Sequence, residues 1–393
     1  MESPARIHIT LPQLLSIVAV LFLIAAPVGG QRAAARDSAG IRIVTNASIK
    51  NAPRLYRIAD TASLDIGGTH DDERQELSTM AIPDIYRGPA GEVVVPDAYQ
   101  VKFFDTKGVF LRVLGRKGSG PGEFQTPIRE ICRLGGDSLI AMEGTAPRFS
   151  VIAGQAITRT EAFEGRSIFH GCLADGSFVV EQERVKTSPG MNPRARYALV
   201  GSNGKVLGSL GALPASDYST ILSREVNIVG FGDHIFVSDG RSFEYREYDR
   251  SGRLLRIVRT DDLQERFTTS DADRVIDWRV PKNAPASVLR GIRSAASGIP
   301  RPSSWPAFGR MLIDPIGRVW LSDFPRKAGE LAAWSVFDPQ GRLLGRVYPA
   351  EAKVAKTYQR VMLANWGRLE VNFILLDSDG ATHVAQYRLI LNR

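Results

Sequence analysis

The chain has 393 residues, 44% hydrophobic and 23% charged, with a formal net charge of +8 and a pI near 9.6. These totals suit one large folded domain or two ordinary ones and exclude wholesale disorder. The cations are scattered singly, often after a turn glycine as at Arg253 and Arg342. With no basic run and no aromatic-interleaved basic block, nucleic-acid binding is not expected.

At the start of the chain, Arg6 and His8 precede an uncharged run, LLSIVAVLFLIAA (residues 14–26), and the small residues Val28, Gly29 and Gly30 follow. That is the order of a secretory signal peptide. The apolar core is short for a membrane span, which needs about 20 residues. An uncleaved anchor is the rival reading, and no cysteine stands where a lipoprotein anchor would need one. Residues 1–30 are therefore read as a signal peptide. Residues 31–393 are read as the folded domain, periplasmic or secreted, with no membrane span once the signal is removed.

Beyond it, strand-like runs recur with turn signals between them. GEVVVPD (91–97), YQVKFFDTKG (99–108) and VFLRVLG (109–115) form one set. The same order returns as DHIFVSDG, FEYREYDRSG and RLLRIVR (233–259), and as GRVWLSD, AWSVFDPQG and RLLGRVY (317–348). Each set is a β-rich run ending in Asp, a second ending in Asp-x-x-Gly, and an apolar run carrying arginines. Two weaker copies lie at 137–163 and 176–211, and each unit opens with a further strand, near Met80, Ile128, Ser167, Val226 and Arg310. A sixth unit, residues 358–391, holds only three strands, and residues 63–66 supply the fourth. Four short strands at periods of about 40–50 residues predict an all-β fold, a six-bladed β-propeller of four-stranded antiparallel blades. The ring is closed by an N-terminal strand, because an open array would leave an unpaired edge.

Between the first two units lies GSGPGEFQTP (118–127). A phosphate-cradling loop is excluded: no Lys-Ser/Thr follows the glycines and no helix begins there. The stretch reads instead as the corner from one blade's outermost strand to the next blade's innermost, pinned by Glu123 and Phe124. It resembles the Gly-x-Gly-Pro-Gly-Glu-Phe-x-x-Pro motif of NHL-type bacterial propellers. Over roughly residues 40–391 the arrangement resembles the secreted six-bladed β-propeller family of bacteria, and WPAFGRMLIDPIGRVWLSD (305–323) fits that family too. The resemblance implies the fold; propellers host unrelated functions.

One segment breaks the period. Residues 261–308 stand before blade 5 where a corner would suffice, and 269–280 and 284–298 read as helices separated by Pro281, with Ser270 as the cap of the first. In propeller topology this insertion sits over the mouth of the channel, as a lid, a partner surface or a packed embellishment.

The same mouth collects the candidate ligand-binding residues Asp84, Arg129, Glu130, His170, Asn227 and Arg310, and the loop residues Asp97, Tyr99, Glu143, Asp239, Arg241, Asp323 and Arg326. Asp97, Asp239 and Asp323 recur at equivalent places and read as turn caps. Arg129, Glu130, His170 and Arg310 read either as ligand contacts or as salt-bridged channel walls. His70, His170, His234 and His383 show no ligand spacing, so a histidine metal centre is not expected, and calcium held by carboxylates is the only cofactor alternative. Cys132 and Cys172 fall at equivalent places in adjacent inner strands; a disulfide is conceivable, but such strands are often too far apart, so free thiols are preferred. No catalytic motif appears. The expected function is a non-catalytic binding or scaffold module, a monomer meeting an envelope protein, peptide or glycan. A metal-assisted hydrolase or lyase is the alternative, and a structural component with an apolar patch near Trp305 and Phe308 is the third reading.

Overall fold

The computed structural model describes residues 33–68, 72–78, 85–88, 91–135, 137–144, 147–163, 168–185, 192–279 and 285–392. The signal segment 1–30, His70, Met80, Asp84 and Ser167 lie outside the described residues.

The described chain is mostly β, with a helical insertion and short helical turns at Ile49–Asn51, Pro349–Glu351 and Val354–Thr357. Three N-terminal strands, β1 (Ala34–Ser38), β2 (Ile41–Asn46) and β3 (Arg54–Gly67), precede a series of antiparallel units. The first unit is β4 (Tyr86–Arg87), β5 (Val93–Asp97), β6 (Gln100–Phe104) and β7 (Phe110–Leu114). The second is β8 (Ile128–Leu134), β9 (Ser138–Glu143), β10 (Arg148–Ala153) and β11 (Ala156–Ala162). The third is β12 (Ile168–Cys172), β13 (Phe178–Val185), β14 (Arg194–Val200) and β15 (Val206–Pro214). The fourth is β16 (Asn227–Phe231), β17 (His234–Ser238), β18 (Glu244–Asp249) and β19 (Leu254–Thr260). After the insertion come β20 (Met311–Ile313), β21 (Val319–Ser322), β22 (Trp334–Phe337) and β23 (Leu343–Val347), and finally β24 (Arg360–Trp366), β25 (Glu370–Leu376) and β26 (Thr382–Leu391).

The N-terminal segment does more than the sequence suggested. Residues 63–66 do pair with β26, Leu64 opposite Gln386 and Ile66 opposite Val384, and so complete the sixth unit. But β3 is 14 residues long, and its start also runs parallel to β23, Arg54 beside Arg346. Upstream, β2 adds in parallel to β19, and β1 covers β2. The fourth unit thus becomes a six-stranded sheet, and β3 fuses the fifth and sixth into an eight-stranded one.

The core lies between units. Phe149, Phe163 and Phe178 meet between the second and third. Trp320 of β21 stacks on Trp366 of β24 with centroids 4.1 Å apart. The Asp-x-x-Gly turns set the spacing. Asp249 accepts the N–H groups of Ser251 (2.9 Å) and Arg253 (3.0 Å), and Asp105 and Asp338 do the same in their units. The turn glycine then abuts the preceding unit: a Cβ on Gly252 would lie 2.5 Å from the Leu210 carbonyl oxygen, and one on Gly204, in the corresponding Gly-Ser-Asn-Gly turn of the third unit, 2.5 Å from that of Ala162.

The insertion forms α1 (Thr269–Arg279) and α2 (Ala286–Ser297). The cap is Thr268 rather than Ser270. Its hydroxyl accepts the Asp271 N–H (3.3 Å) and the Asp271 carboxylate accepts the Thr268 N–H (2.8 Å), a reciprocal capping box. Ala272, Val275 and Ile276 pack with Phe267 and Trp305 onto Ile221 and Leu222 of the loop before β16 and onto Phe324 of the loop after β21.

Gly252→Ala and Gly204→Ala should each lower unfolding free energy by about 2–3 kcal/mol, combining positive-φ strain with a carbonyl clash. Gly154→Ala, at the equivalent turn of the second unit with nothing within 4 Å of the added atom, should cost only about 1 kcal/mol. Equal losses in urea titrations would show that the inter-unit contact contributes nothing.

Candidate functional site

The loops that enter each unit and those between its second and third strands lie together, and the acids there are held by architecture. Asp97, at the end of β5, accepts the Ser78 N–H (3.0 Å) and hydroxyl (2.7 Å) and pairs with the buried Lys102 ammonium (3.0 Å). Glu143, at the end of β9, accepts the N–H groups of Gln125 (2.7 Å) and Thr126 (2.9 Å) and pairs with Arg148 (3.3 Å). Asp323 pairs with Arg346, and Asp239 accepts the Arg241 N–H (3.0 Å). Of the three aspartates expected to cap the turn that follows them, Asp239 does so, while Asp97 reaches the loop before its unit and a third-strand cation and Asp323 reaches a fourth-strand cation, which corrects the turn-cap reading for those two.

Sequence reasoning missed Asp217, in the loop before β16. It accepts from the Ser219 hydroxyl (2.5 Å) and pairs with Arg224 (3.1 Å) and Arg241 (2.9 Å). Burial works against its ionisation, but Ser219 and Arg224 outweigh it and hold the carboxyl at about 2. The serine two residues on was the available signal, since Asp-x-Ser forms this turn locally.

Of the predicted ligand residues, Asn227 and Arg310 act as clamps between units. The Asn227 amide donates to the Gly309 carbonyl (2.8 Å) and accepts from the Met311 N–H (2.9 Å). Arg310 donates to the carbonyls of Leu363 (2.7 Å) and Ala364 (3.1 Å). Asn365 in turn donates to the Ile85 carbonyl (2.6 Å), joining the sixth unit to the first. Ala98 accepts from the Ile128 N–H (2.8 Å), joining the first to the second, and Gly232 accepts from the Ala174 N–H (2.9 Å), joining the third to the fourth.

Arg129, Glu130 and His170 stand on the first strands of the second and third units. Arg129 occupies a register shift in β8 and is exposed, and Glu130 is half-buried. The His170 ring, half-buried, packs edge-on against Tyr197 (5.5 Å), and its Nε2 is a buried atom with no hydrogen-bond partner among the described residues. Burial, with the charge of Arg129 second, lowers its pKa to about 4, so the imidazole is neutral at physiological pH. Cys132 and Cys172 form a disulfide with Cα atoms 5.9 Å apart. The preference for free thiols is corrected: β8 and β12 approach closely enough at these positions for a bridge.

Trp305 and Phe308 are 4% and 3% exposed, so the apolar patch expected there is part of the interior. The glycine-rich corner shows why it is not an anion cradle. The Glu123 carboxylate accepts the Gly120 N–H (2.8 Å) and pairs with Arg116 (2.8 Å), occupying the place a phosphate would take. Beside it lies a groove of about 530 Å³ lined by Gly122, Gln125, Arg148, Thr158 and Thr160; none of the predicted ligand residues lines it. Among the described residues no three His, Cys, Asp or Glu converge as metal ligands, and no helix is long and apolar enough to cross a membrane.

No protein-family model matches the sequence, and no curated protein is significantly similar to it. Among solved structures the chain is similar to a Bacteroides fragilis protein designated as exported, at 10% identity and a TM-score of 0.54, covering 89% of this chain and 99% of that one. It is also similar to a DUF4221 family member from Bacteroides vulgatus, at 11% identity and a TM-score of 0.50, covering 86% of this chain and 99% of that one. At such identity the likeness is one of fold.

Replacing both cysteines by serine should lower stability by about 2–4 kcal/mol, since the bridge closes a long loop in the unfolded chain. An unchanged urea midpoint after the replacement would exclude a stabilising bridge. His170 gives a signed pH effect. Its folded pKa lies below the ordinary value of 6.5, so the unfolded chain binds a proton first as pH falls. Its contribution is fully present above about pH 6.5 and should be lost progressively toward pH 4, on the order of 2–3 kcal/mol. His170→Gln should flatten that part of the stability profile, and an identical profile would contradict the assignment.

Proposed function

We propose that the antiparallel units close into a six-bladed β-propeller spanning residues 31–393, of the secreted bacterial kind, and that the chain is an exported, non-catalytic binding module. Closure is supported by the inter-unit contacts, above all Asn365 to Ile85 between last and first. Export is supported by the signal-like start, by the exported designation of one structural neighbour, and by a disulfide, which persists in oxidising compartments. The module acts as a monomer in the envelope and holds a protein, peptide or glycan at the mouth, where Arg129, Glu130 and His170 stand.

One observation carries the non-catalytic reading. Asp97, Glu143, Asp217 and Asp323, the carboxylates that calcium binding or general acid–base chemistry would recruit, are each committed to cations, and three of them also to loop donors. Freeing one would leave a buried cation unpaired, which costs several kcal/mol.

Thermal unfolding of the protein should be unchanged by a chelator and by added calcium. A native-state ligand at a hundredfold excess over its Kd stabilises by about 2.7 kcal/mol, several degrees for a domain of this size. A calcium-dependent rise of that kind would overturn this reading in favour of a metal-assisted hydrolase or lyase.

A further inference from the structure

The outer strands of the units are not alike. In the fourth, β2 adds in parallel to β19, and in the fifth the start of β3 adds in parallel to β23. The outer strands β7, β11 and β15 end their sheets with no such addition. The fold itself thus shows twice that an outer edge takes up one more strand, and both times in parallel.

Of the three open edges, β11 borders the groove of about 530 Å³ beside the glycine-rich corner, with residues 157–162 on one side of it and residues 119–122 on the other. From Arg148 opposite Ala162 to Val151 opposite Arg159 the ladder between β10 and β11 runs without a shift, and its irregularity lies beyond, between Val151 and Ile152. By contrast, β15 carries two shifts against β14. Phe163 donates its N–H to the Pro147 carbonyl, on the β10 side (3.0 Å). The peptide groups of a strand reverse direction at each residue, so those of Ala162 and Thr160 point away from β10. The Ala162 carbonyl lies against Gly204 of the third unit. That leaves the Ala162 N–H and both peptide groups of Thr160 at the open edge, a template for another chain.

Side chains bordering the groove are already engaged. The Arg148 guanidinium pairs with Glu143 (3.3 Å) and donates to the Glu123 carbonyl (3.1 Å). The Thr158 hydroxyl donates to the Val151 carbonyl (3.2 Å), and the Thr160 hydroxyl bonds that of Ser150 (3.0 Å). An anion or a polyhydroxylated ligand would have to displace these bonds, whereas an extended chain needs only the edge backbone. The opposite wall is preformed. Phe124, fully buried, donates its N–H to the Arg116 carbonyl (2.8 Å) and accepts from the Gly118 N–H (3.0 Å). Gly122 leaves open space where its own side chain would stand, which gives room for one from an added strand.

We propose that the edge of β11 takes up an extended segment of a partner polypeptide as a fifth, parallel strand, recognised through its backbone at Thr160 and Ala162 and with alternate side chains lodged against the glycine-rich corner. This site is distinct from the one at Arg129, Glu130 and His170 and does not depend on it.

The test is selection of short randomised peptides by display against the full chain, followed by amide hydrogen exchange on the protein with the selected peptide. The peptide should slow exchange at Thr160 and Ala162 and leave β19 and β23, whose edges are filled, unchanged. It is then made in its two alternately N-methylated forms, which keep every side chain. The form blocked on the side facing β11 should bind roughly tenfold more weakly, and the other about as well as the parent. Thr160→Pro removes an outward N–H without touching the ladder to β10, so it should weaken binding in the same way and leave the urea midpoint nearly unchanged. The N-methylated pair reads the backbone contact even if that variant folds poorly. Equal binding by the two N-methylated forms would overturn the proposal, as would failure to select any peptide that slows exchange at Thr160 and Ala162. So would slowing of the same amides by raised protein concentration alone, which would assign the edge to a second copy of this chain.

Discussion

Everything else in the fold depends on how closely the Asp-x-x-Gly turn of one unit can approach the outer strand of the unit before it. The aspartate fixes the turn locally by accepting the N–H groups two and four residues on, so the turn is formed by its own residues. The glycine then lets the backbone touch its neighbour: Gly108 faces Asp65, Gly252 faces Leu210 and Gly341 faces Val258, and Gly204, in a Gly-Ser-Asn-Gly turn, faces Ala162 in the same way. A side chain at any of these would hold consecutive sheets apart, and the phenylalanine and tryptophan layers between them would lose contact.

With the outer contact made by backbone, the inner contacts are made by polar side chains. Asn227, Arg310 and Asn365 each satisfy carbonyl or N–H groups of the next unit, replacing ladder bonds that separate sheets cannot form. The carboxylates at the ends of second strands have the matching task of tying down incoming loops. This use of charge leaves those carboxylates engaged with cations. Their partners are buried, and a buried pair is expensive to break even where it adds little net stability.

The repeating units were legible because their period rests on short-range signals: alternation, Asp-x-x-Gly and the glycine-rich corner whose Glu123 and Phe124 pin it. The insertion helices were legible from their own periodicity, with the cap displaced by two residues because Thr268 and Asp271 satisfy each other. The roles of Asn227 and Arg310 were not legible. Clamp and ligand contact call for the same residue types at the same places, and only the neighbouring carbonyls distinguish them. The disulfide depended on an inter-strand distance that no spacing reports. The work of β1, β2 and the start of β3 was hidden for a similar reason, since a strand added in parallel to a distant edge carries no turn to announce its partner.

That N-terminal segment makes the molecule lopsided. Where it covers an outer strand, apolar residues are sealed, as with Leu343 at 3% exposure. Where it does not, they are open: Val109 and Leu111 on the first unit are 59% and 49% exposed, and Val206 and Leu207 on the third 45% and 54%. Free edges of this kind invite pairing with other chains, and register shifts between β6 and β7, β10 and β11, and β14 and β15 bend these edges away from regular pairing. The same shift recurs between β18 and β19, β22 and β23, and β26 and β3, so irregularity is common to these edges, and the strands added by the N-terminal segment cover β19 and β23 on top of it, which the first three units lack.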